Sequence, residues 1–210
     1  AAERGVEVQI LVDGLNGGGK PLSSSGLFCQ LAAHENVEVR LYNPLNLLTP
    51  WKTNYRMHDK YLIADDLAYL LGGRNTDDRF LGRYTDGYNV DRDILVYETE
   101  PGQGQSYRQL LDYFDRIWSL PCCKVLDRPG EGEDLSQCYA ETRTRYPEAF
   151  AAPLTQTEWE AATLETEGVE LWTNPIEPEN KKPILWARMM DAMAKAEEVL
   201  VQTPYIICSR

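Results

Sequence analysis

The stretch that decides the fold runs from residue 57 to residue 75 and reads MHDKYLIADDLAYLLGGRN. Its apolar runs at 60–64 and 68–71 have the length and composition of short strands. Asp65 and Asp66 stand between the two runs, and aspartate side chains favour tight turns. The stretch therefore predicts a β-hairpin.

One face of the first predicted strand carries two chemically active side chains. Residues two apart on a strand point the same way, so the imidazole of His58 and the ammonium of Lys60 share a face. The returning strand ends in glycines at 72 and 73, which let backbone approach a ligand, and in Asn75, an amide donor. An imidazole nucleophile beside such donors suits attack on a phosphodiester, and this chemistry needs no metal.

A lone His-x-Lys pair more often indicates a hairpin histidine beside a solvated lysine, but here further residues follow at fixed spacing. The order is His-x-Lys, four residues, Asp, six residues, Gly-Gly, one residue, Asn. This pattern resembles the HKD motif of the phospholipase D superfamily, and residues 72–80 are more similar to its bacterial cardiolipin synthase-like branch than to its nuclease branch. The matching positions are His58, Lys60, Asp65, Gly72, Gly73 and Asn75.

The resemblance implies roles for these positions. His58, Lys60, Asp65 and Asn75 would form the catalytic set, and Lys60, Gly73 and Asn75 would bind the substrate phosphate. His58 would be either the nucleophile of a covalent phosphohistidine intermediate or the general acid for the leaving alcohol. Asp65, at the turn, is expected to support the hairpin rather than to contact substrate. The resemblance implies no cofactor and no metal.

The rest of the chain predicts an α/β fold. A strand pattern at 6–12, helical spacing at 27–32 and a second strand pattern at 37–41 imply a parallel crossover. A further strand is predicted at 94–97, and an amphipathic helix at 107–118. The expected architecture is a mixed β-sheet flanked by helices on both faces.

The resemblance also implies a domain organisation. Residues 1–120 would be an N-terminal phospholipase D-like domain that is cut at its start, and 121–182 a connection. Residues 183–210 would begin a second phospholipase D-like repeat, with a helix at 184–196 and a strand at 199–205.

The site that the resemblance implies takes one motif from each of two halves, and this chain has one motif. The second histidine of the chain, His34, has no lysine at the motif spacing and is expected at an exposed helix end. A second His-x-Lys must come from a missing second half or from a homodimer mate. The fragment alone is therefore expected to be inactive.

The net charge of −12 disfavours a nucleic-acid partner, although Arg74, Arg79 and Arg83 leave room for a local positive site. The expected activity is that of a phospholipase D-type phosphatidyltransferase, cardiolipin synthase-like, acting on a phosphatidylglycerol-like phospholipid. A nuclease of the same superfamily is one alternative. A non-catalytic half that binds phosphate or a partner is the other.

Two features of the sequence bear on localisation. No apolar stretch approaches the length of about 18 residues that a membrane span needs, and five cysteines without a C-x-x-C pair suit a reducing cytoplasm. Peripheral membrane contact stays open.

Residues 14–20 match Gly-x-x-x-x-Gly-Lys, the pattern of a phosphate-binding loop, but Pro21 lacks the hydroxyl that would bind magnesium, so we expect a flexible loop there.

Overall fold

The structure is a computed structural model, and it describes residues 1–15, 26–76, 79–80, 86–126, 135–147, 158 and 161–202. Most of the loop at 14–20, Arg83 and residues 203–205 of the predicted last strand lie outside this range. The chain divides into two compact units, Ala1–Leu171 and Trp172–Arg210.

The strands, in chain order, are β1 (Val8–Asp13), β2 (Val37–Tyr42), β3 (Tyr61–Ala64), β4 (Ala68–Gly72), β5 (Asp93–Tyr97) and β6 (Cys123–Val125). The α-helices whose bounds lie within the described residues are α1 (Gly26–Leu31), α2 (Gln105–Trp118), α3 (Leu135–Arg145) and α4 (Ile184–Lys195). Short 3-10 helices occupy Ala2–Arg4 and Pro50–Asn54. The strands and helices predicted from periodicity up to residue 118 are thereby confirmed.

The first sheet has the order β1-β2-β6, with β1 parallel to β2 and β6 antiparallel to β2. Val39 and Leu41 of β2 are buried in one cluster with Cys29 of α1. On the opposite face, Arg40 donates a hydrogen bond to the carbonyl oxygen of Trp118 at 2.8 Å and lies 4.4 Å from its ring centroid. Helix α1 thus packs on one face of this mixed sheet, and the C-terminal end of α2 contacts the other face.

The second sheet is antiparallel and has the order β3-β4-β5. The predicted hairpin is confirmed, with Tyr61 opposite Leu71 and Ala64 opposite Ala68. Helix α2 covers one face of the sheet, where Leu110 is packed in the cluster around Tyr69. The α/β class is therefore as expected, and the six strands are shared between two sheets.

Alternation along β3 separates two kinds of residue. Tyr61 and Ile63 lie on the side of α2, whereas the side chain of Leu62 is largely exposed. Because successive side chains on extended backbone point to opposite sides, Asp59 belongs to the helix side, and His58 and Lys60 belong to the outer side.

Residues beyond 120 contribute to the first unit. Strand β6 pairs with β2, Leu126 joins its buried cluster, and the Leu171 backbone N–H donates to the Gln109 side chain at 2.8 Å. The boundaries predicted after 120 and 182 stay predictions, while the structure divides after Leu171.

In the second unit, α4 confirms the helix predicted at 184–196. Residues 199–202, the described part of the last predicted strand, are not in a strand, because a strand requires a hydrogen-bonded neighbour. No helix in the described part of the chain is both long and apolar enough to span a bilayer.

Candidate active site

The predicted site residues lie at the two ends of the β3-β4 hairpin. Strand pairing continues past β3, because the Gly72 N–H donates to the Lys60 carbonyl at 3.1 Å. His58 precedes this pair and Asn75 follows it, so both lie near the open end of the hairpin, and both are exposed. Asp65 lies in the turn at the closed end. At about 3.3 Å per residue, roughly 23 Å of extended chain separates it from His58.

Lys60 is held beside the histidine. Its ammonium donates a hydrogen bond to the His58 backbone carbonyl at 2.7 Å. Burial lowers the pKa of Lys60 from its ordinary value, and the carboxylates of Asp59 and Asp91 oppose that fall. The open end of the hairpin therefore presents an exposed imidazole and a partly desolvated ammonium together.

The reverse side of the same strand anchors the hairpin to α2. The Tyr113 hydroxyl donates to the Asp59 carboxylate at 2.8 Å, and the Tyr61 ring centroid lies 6.2 Å from that of Tyr113 and 6.3 Å from that of Phe114. Burial raises the pKa of Tyr113, and Asp59 raises it further, so the hydroxyl keeps the proton that it donates. This anchoring directs His58 away from the helix.

The segment that enters the motif is attached to the end of β1. The Asp13 carboxylate accepts hydrogen bonds at 2.9 Å from the Arg56 guanidinium and from the Met57 backbone N–H. It also accepts one from the Leu15 backbone N–H at 2.9 Å. Arg56 in turn donates to the carbonyl oxygen of Asn43. The backbone just before His58 is thereby held by groups from two strand ends.

Asn43 joins the loop before the motif to the first sheet. Its side-chain amide donates to the carbonyl oxygens of Lys52 and Tyr55, at 2.7 and 2.9 Å, and its backbone N–H donates to Cys122 at 3.0 Å. Its φ of 45° lies in the left-handed region, which asparagine tolerates better than most residues. Asn43 therefore fixes the end of the loop at residues 44–55 against the first sheet.

The glycine pair at the end of β4 makes room for carboxylates. A Cβ on Gly72 would overlap the side chain of Asp93, and one on Gly73 would come within 3.1 Å of Asp91. Arg74 forms an ion pair with Asp93 at 2.5 Å and also donates to the Asp91 carbonyl oxygen at 3.2 Å. The sequence predicted that the space at Gly72 would admit a ligand, but the Asp93 side chain occupies it. Arg74 binds Asp93 and Asp91 and so holds the end of β4 against the start of β5.

Asp65 adopts a left-handed conformation, with φ 50°, and its side chain is exposed. Its backbone carbonyl accepts a hydrogen bond from the Tyr107 hydroxyl at 2.9 Å, which ties the turn to α2. This placement fits a supporting role in the turn. His34 is exposed directly after α1, as expected.

The sequence interpretation did not identify five residues that position the site. Two of them, the acidic residues just before β5 and at its first position, were visible as an Asp-Arg-Asp run, whereas the other three act through contacts between distant segments. The five residues are Asp13, Asn43, Arg56, Asp91 and Asp93.

Groups that could support other chemistry are sparse in the described residues. No cluster of three or more His, Cys, Asp or Glu side chains there is arranged to hold a metal ion. Burial, with Cys122 beside it, raises the pKa of Cys123 to about 12, and its thiol donates to the Ile117 carbonyl at 3.1 Å. Such a protonated, buried thiol is a poor nucleophile.

Comparison with known proteins agrees with the motif. The family described as cardiolipin synthase, PLD-like domain, matches residues 1–118. Cardiolipin synthase C of Escherichia coli (strain K12) is 34% identical over 146 residues, which cover 63% of this chain and 28% of that protein. Cardiolipin synthase B of Salmonella typhi is 32% identical over 118 residues, which cover 50% of this chain and 28% of that protein.

The chain thus spans less than a third of the length of these relatives. No solved structure matches it. Since the family match covers more than half of the chain and includes the whole hairpin, the chain belongs to the phospholipase D-like family of the cardiolipin synthase domain.

Proposed function

We propose that the chain supplies one half of the active site of a phospholipase D-type phosphatidyltransferase, similar in activity to the cardiolipin synthases. The observation that carries the proposal is the pairing of an exposed His58 with Lys60 on the outer side of the hairpin, with Asn75 near the same end. We propose a phosphatidylglycerol-like phospholipid as the substrate and the cytoplasmic surface of a membrane as the place of action.

In this proposal the substrate phosphate binds at the open end of the hairpin. Lys60, Asn75 and the Gly73 backbone N–H hold its non-bridging oxygens, where negative charge develops. As nucleophile, a neutral His58 nitrogen bonds to phosphorus while the bond to the leaving alcohol oxygen breaks, and a second histidine protonates that oxygen. An acceptor alcohol then attacks the phosphohistidine, loses its proton to the second histidine, and frees His58. If His58 is instead the general acid, the second histidine bonds to phosphorus. His58 then protonates the leaving alcohol oxygen and later accepts the proton of the acceptor alcohol.

The second histidine has to come from outside this half-site. His34 follows α1 and lacks the motif spacing, so we assign it no role in the reaction. A second phospholipase D-like repeat, or a second copy of this chain, would supply the missing His-x-Lys. We expect the isolated 210-residue monomer to be inactive.

The test is an assay of glycerol release from phosphatidylglycerol vesicles. It uses the 210-residue chain and, in parallel, a longer protein that contains this sequence and a second His-x-Lys. We expect activity in the longer protein, its loss in His58→Ala and its retention in His34→Ala, the matched control. Mass spectrometry after rapid acid-free quenching should find a phosphatidyl adduct on one motif histidine.

Activity that survives His58→Ala would contradict the proposed mechanism. Single-stranded DNA is offered to the same samples, and cleavage of DNA without glycerol release would replace the proposed function by a nuclease. Activity of the 210-residue chain that rises with its dimer fraction would identify a second copy as the source of the second motif.

A further inference from the structure

The loop that precedes the motif exposes large apolar side chains. We name residues 45–51 the apolar loop. Leu47 and Leu48 are each 84% exposed and Trp51 is 65% exposed, while Leu45 is also exposed. Apolar side chains that cluster at an exposed surface point to an interaction site rather than to ordinary surface composition.

The apolar loop has a defined shape. The Asn46 side chain accepts a hydrogen bond from the Leu48 backbone N–H at 2.9 Å, and the Asn46 carbonyl accepts one from the Thr49 N–H at 3.0 Å. Residues Pro50–Asn54 continue as a 3-10 helix, in which the Thr53 hydroxyl donates to the Pro50 carbonyl at 2.6 Å. The exposed side chains therefore extend from a turn and a helix with their own hydrogen bonds.

The apolar loop is connected to the candidate site. The Asn43 amide holds the carbonyl oxygens of Lys52 and Tyr55, which follow the loop, and Arg56 donates to the Asn43 carbonyl. Only two residues separate Tyr55 from His58. A surface that engages the loop would consequently lie near the open end of the hairpin.

The charges around the apolar loop differ from those of the chain as a whole. The chain carries a net charge of −12, but residues 39–58 contain no Asp or Glu and include Arg40, Lys52 and Arg56. Arg40 and Arg56 are paired with acidic residues outside this segment. The segment itself therefore adds no negative charge that would repel an anionic surface, and charges farther away than a Debye length of about 10 Å are largely screened.

We propose that the apolar loop docks the protein on an anionic lipid bilayer, with Leu47, Leu48 and Trp51 entering the headgroup region. The inference deepens the proposed function, on which it rests, by naming the surface that brings the lipid phosphate to His58. Leucines that protrude next to a tryptophan suit the boundary between headgroups and acyl chains, where tryptophan is enriched. Because residues 39–58 contain no Asp or Glu, the apolar loop can approach a bilayer that contains phosphatidylglycerol, the substrate in the proposed function.

The test is co-sedimentation of the protein with vesicles of equal parts phosphatidylglycerol and phosphatidylcholine, and with vesicles of phosphatidylcholine alone. We expect binding to the mixed vesicles that Leu47→Ser/Leu48→Ser weakens by about tenfold or more, since two leucines lose their burial in lipid. The matched control is Leu200→Ser/Val201→Ser, another adjacent exposed apolar pair, which should bind as the unmodified protein does. Circular dichroism verifies that both variants are folded.

Three outcomes would overturn the docking proposal: no binding of the unmodified protein to the mixed vesicles, equal weakening in the two double variants, or loss of self-association in the loop variant with unchanged vesicle binding. The last would assign the apolar loop to a protein contact. Loop-dependent binding by a protein that releases no glycerol would support docking while the proposed activity fails.

Discussion

Asp13 and Arg56 form an ion pair at 2.9 Å although they lie 43 positions apart in the chain. The same carboxylate accepts the Met57 backbone N–H, so one side chain at the end of β1 holds both residues that precede His58. Both partners are only about a quarter exposed, at 21% for Asp13 and 26% for Arg56. This pair connects the first sheet to the hairpin that carries the motif.

Replacing Asp13 by Asn should destabilise the protein. The change keeps the shape and one acceptor oxygen but removes the charge that three donors share, and a hydrogen bond to a charged group contributes about 1.5–3 kcal/mol. We expect the free energy of unfolding to fall by about 1–3 kcal/mol in urea denaturation. The control is Glu38→Gln, which breaks the more exposed Arg40–Glu38 pair and should cost less than about 1 kcal/mol. Equal effects would contradict the anchoring role.

Replacing Gly72 by Ala should displace the Asp93 carboxylate. The new methyl group would overlap that side chain and disturb its ion pair with Arg74, at a cost of about 1–3 kcal/mol for overpacking. In Gly72→Ala/Asp93→Ala the overlap with the carboxylate is absent, and the contact of 3.0 Å with the Cα of residue 93 remains. Urea denaturation of both single variants and the double variant should therefore show a double variant more stable than the sum of the single effects. Additive effects would mean that Gly72 is not required by Asp93.

The lowered pKa of Lys60 predicts a pH effect on phosphate binding. Burial lowers this pKa, and Asp59 and Asp91 oppose the fall. Protonated Lys60 attracts phosphate, so affinity should be lost as pH rises through a value below the ordinary pKa of lysine. Lys60→Arg should retain affinity to higher pH, since a guanidinium stays charged, and Asp91→Asn should lose it at lower pH.

Titration of inorganic phosphate followed by calorimetry at several pH values measures these shifts, and the ¹³Cε resonance of Lys60 reports its own pKa. Phosphate affinity that is identical in Lys60→Arg and the unmodified protein at every pH would exclude Lys60 from the phosphate site.

Cys123 should resist alkylation in the folded protein. Its pKa of about 12 leaves the thiol protonated at pH 8, and the side chain is buried. Iodoacetamide at pH 8 followed by peptide mass mapping should leave Cys123 unmodified under native conditions and label it in 6 M guanidinium. Rapid native labelling of Cys123 would show that the contact between α2 and β6 opens readily.

Asp65 should tolerate glycine better than valine. Its φ of 50° suits glycine, whereas a β-branched side chain in the left-handed region costs about 1–2 kcal/mol. We expect Asp65→Gly to unfold near the unmodified midpoint and Asp65→Val to unfold at clearly lower urea concentration. Asp65→Gly should also retain glycerol release in the longer protein. Loss of activity in a fully folded Asp65→Gly would assign Asp65 to the chemistry rather than to the turn.

Much of the fold follows from local patterns in the sequence. The hairpin, the parallel pair β1-β2 and helix α2 all have apolar spacing that one segment displays by itself. Strand β6 has three residues and too little pattern to distinguish it from a connection. Its position depends on pairing with β2, which no local signal encodes.

The candidate site, like the fold, has residues that a local sequence pattern predicts and residues that it does not. His58, Lys60 and Asn75 are identifiable because the motif spacing is local, and the structure brings them to one end of the hairpin. Asp13 and Asn43 act through hydrogen bonds to segments 9 to 44 residues away, which depend on the assembled sheets.

Because side chains alternate along β3, the number of residues in this strand determines on which side of the hairpin the motif residues lie. Tyr61 and Asp59 attach the strand to α2, while His58 and Lys60 lie on the other side. Deleting one residue of β3, such as Leu62, would exchange the sides of the residues before it and turn the imidazole towards the aromatic rings of α2. Removing two residues would restore the sides but draw the motif towards the turn. The hairpin should therefore tolerate substitutions far more readily than insertions or deletions that change its register.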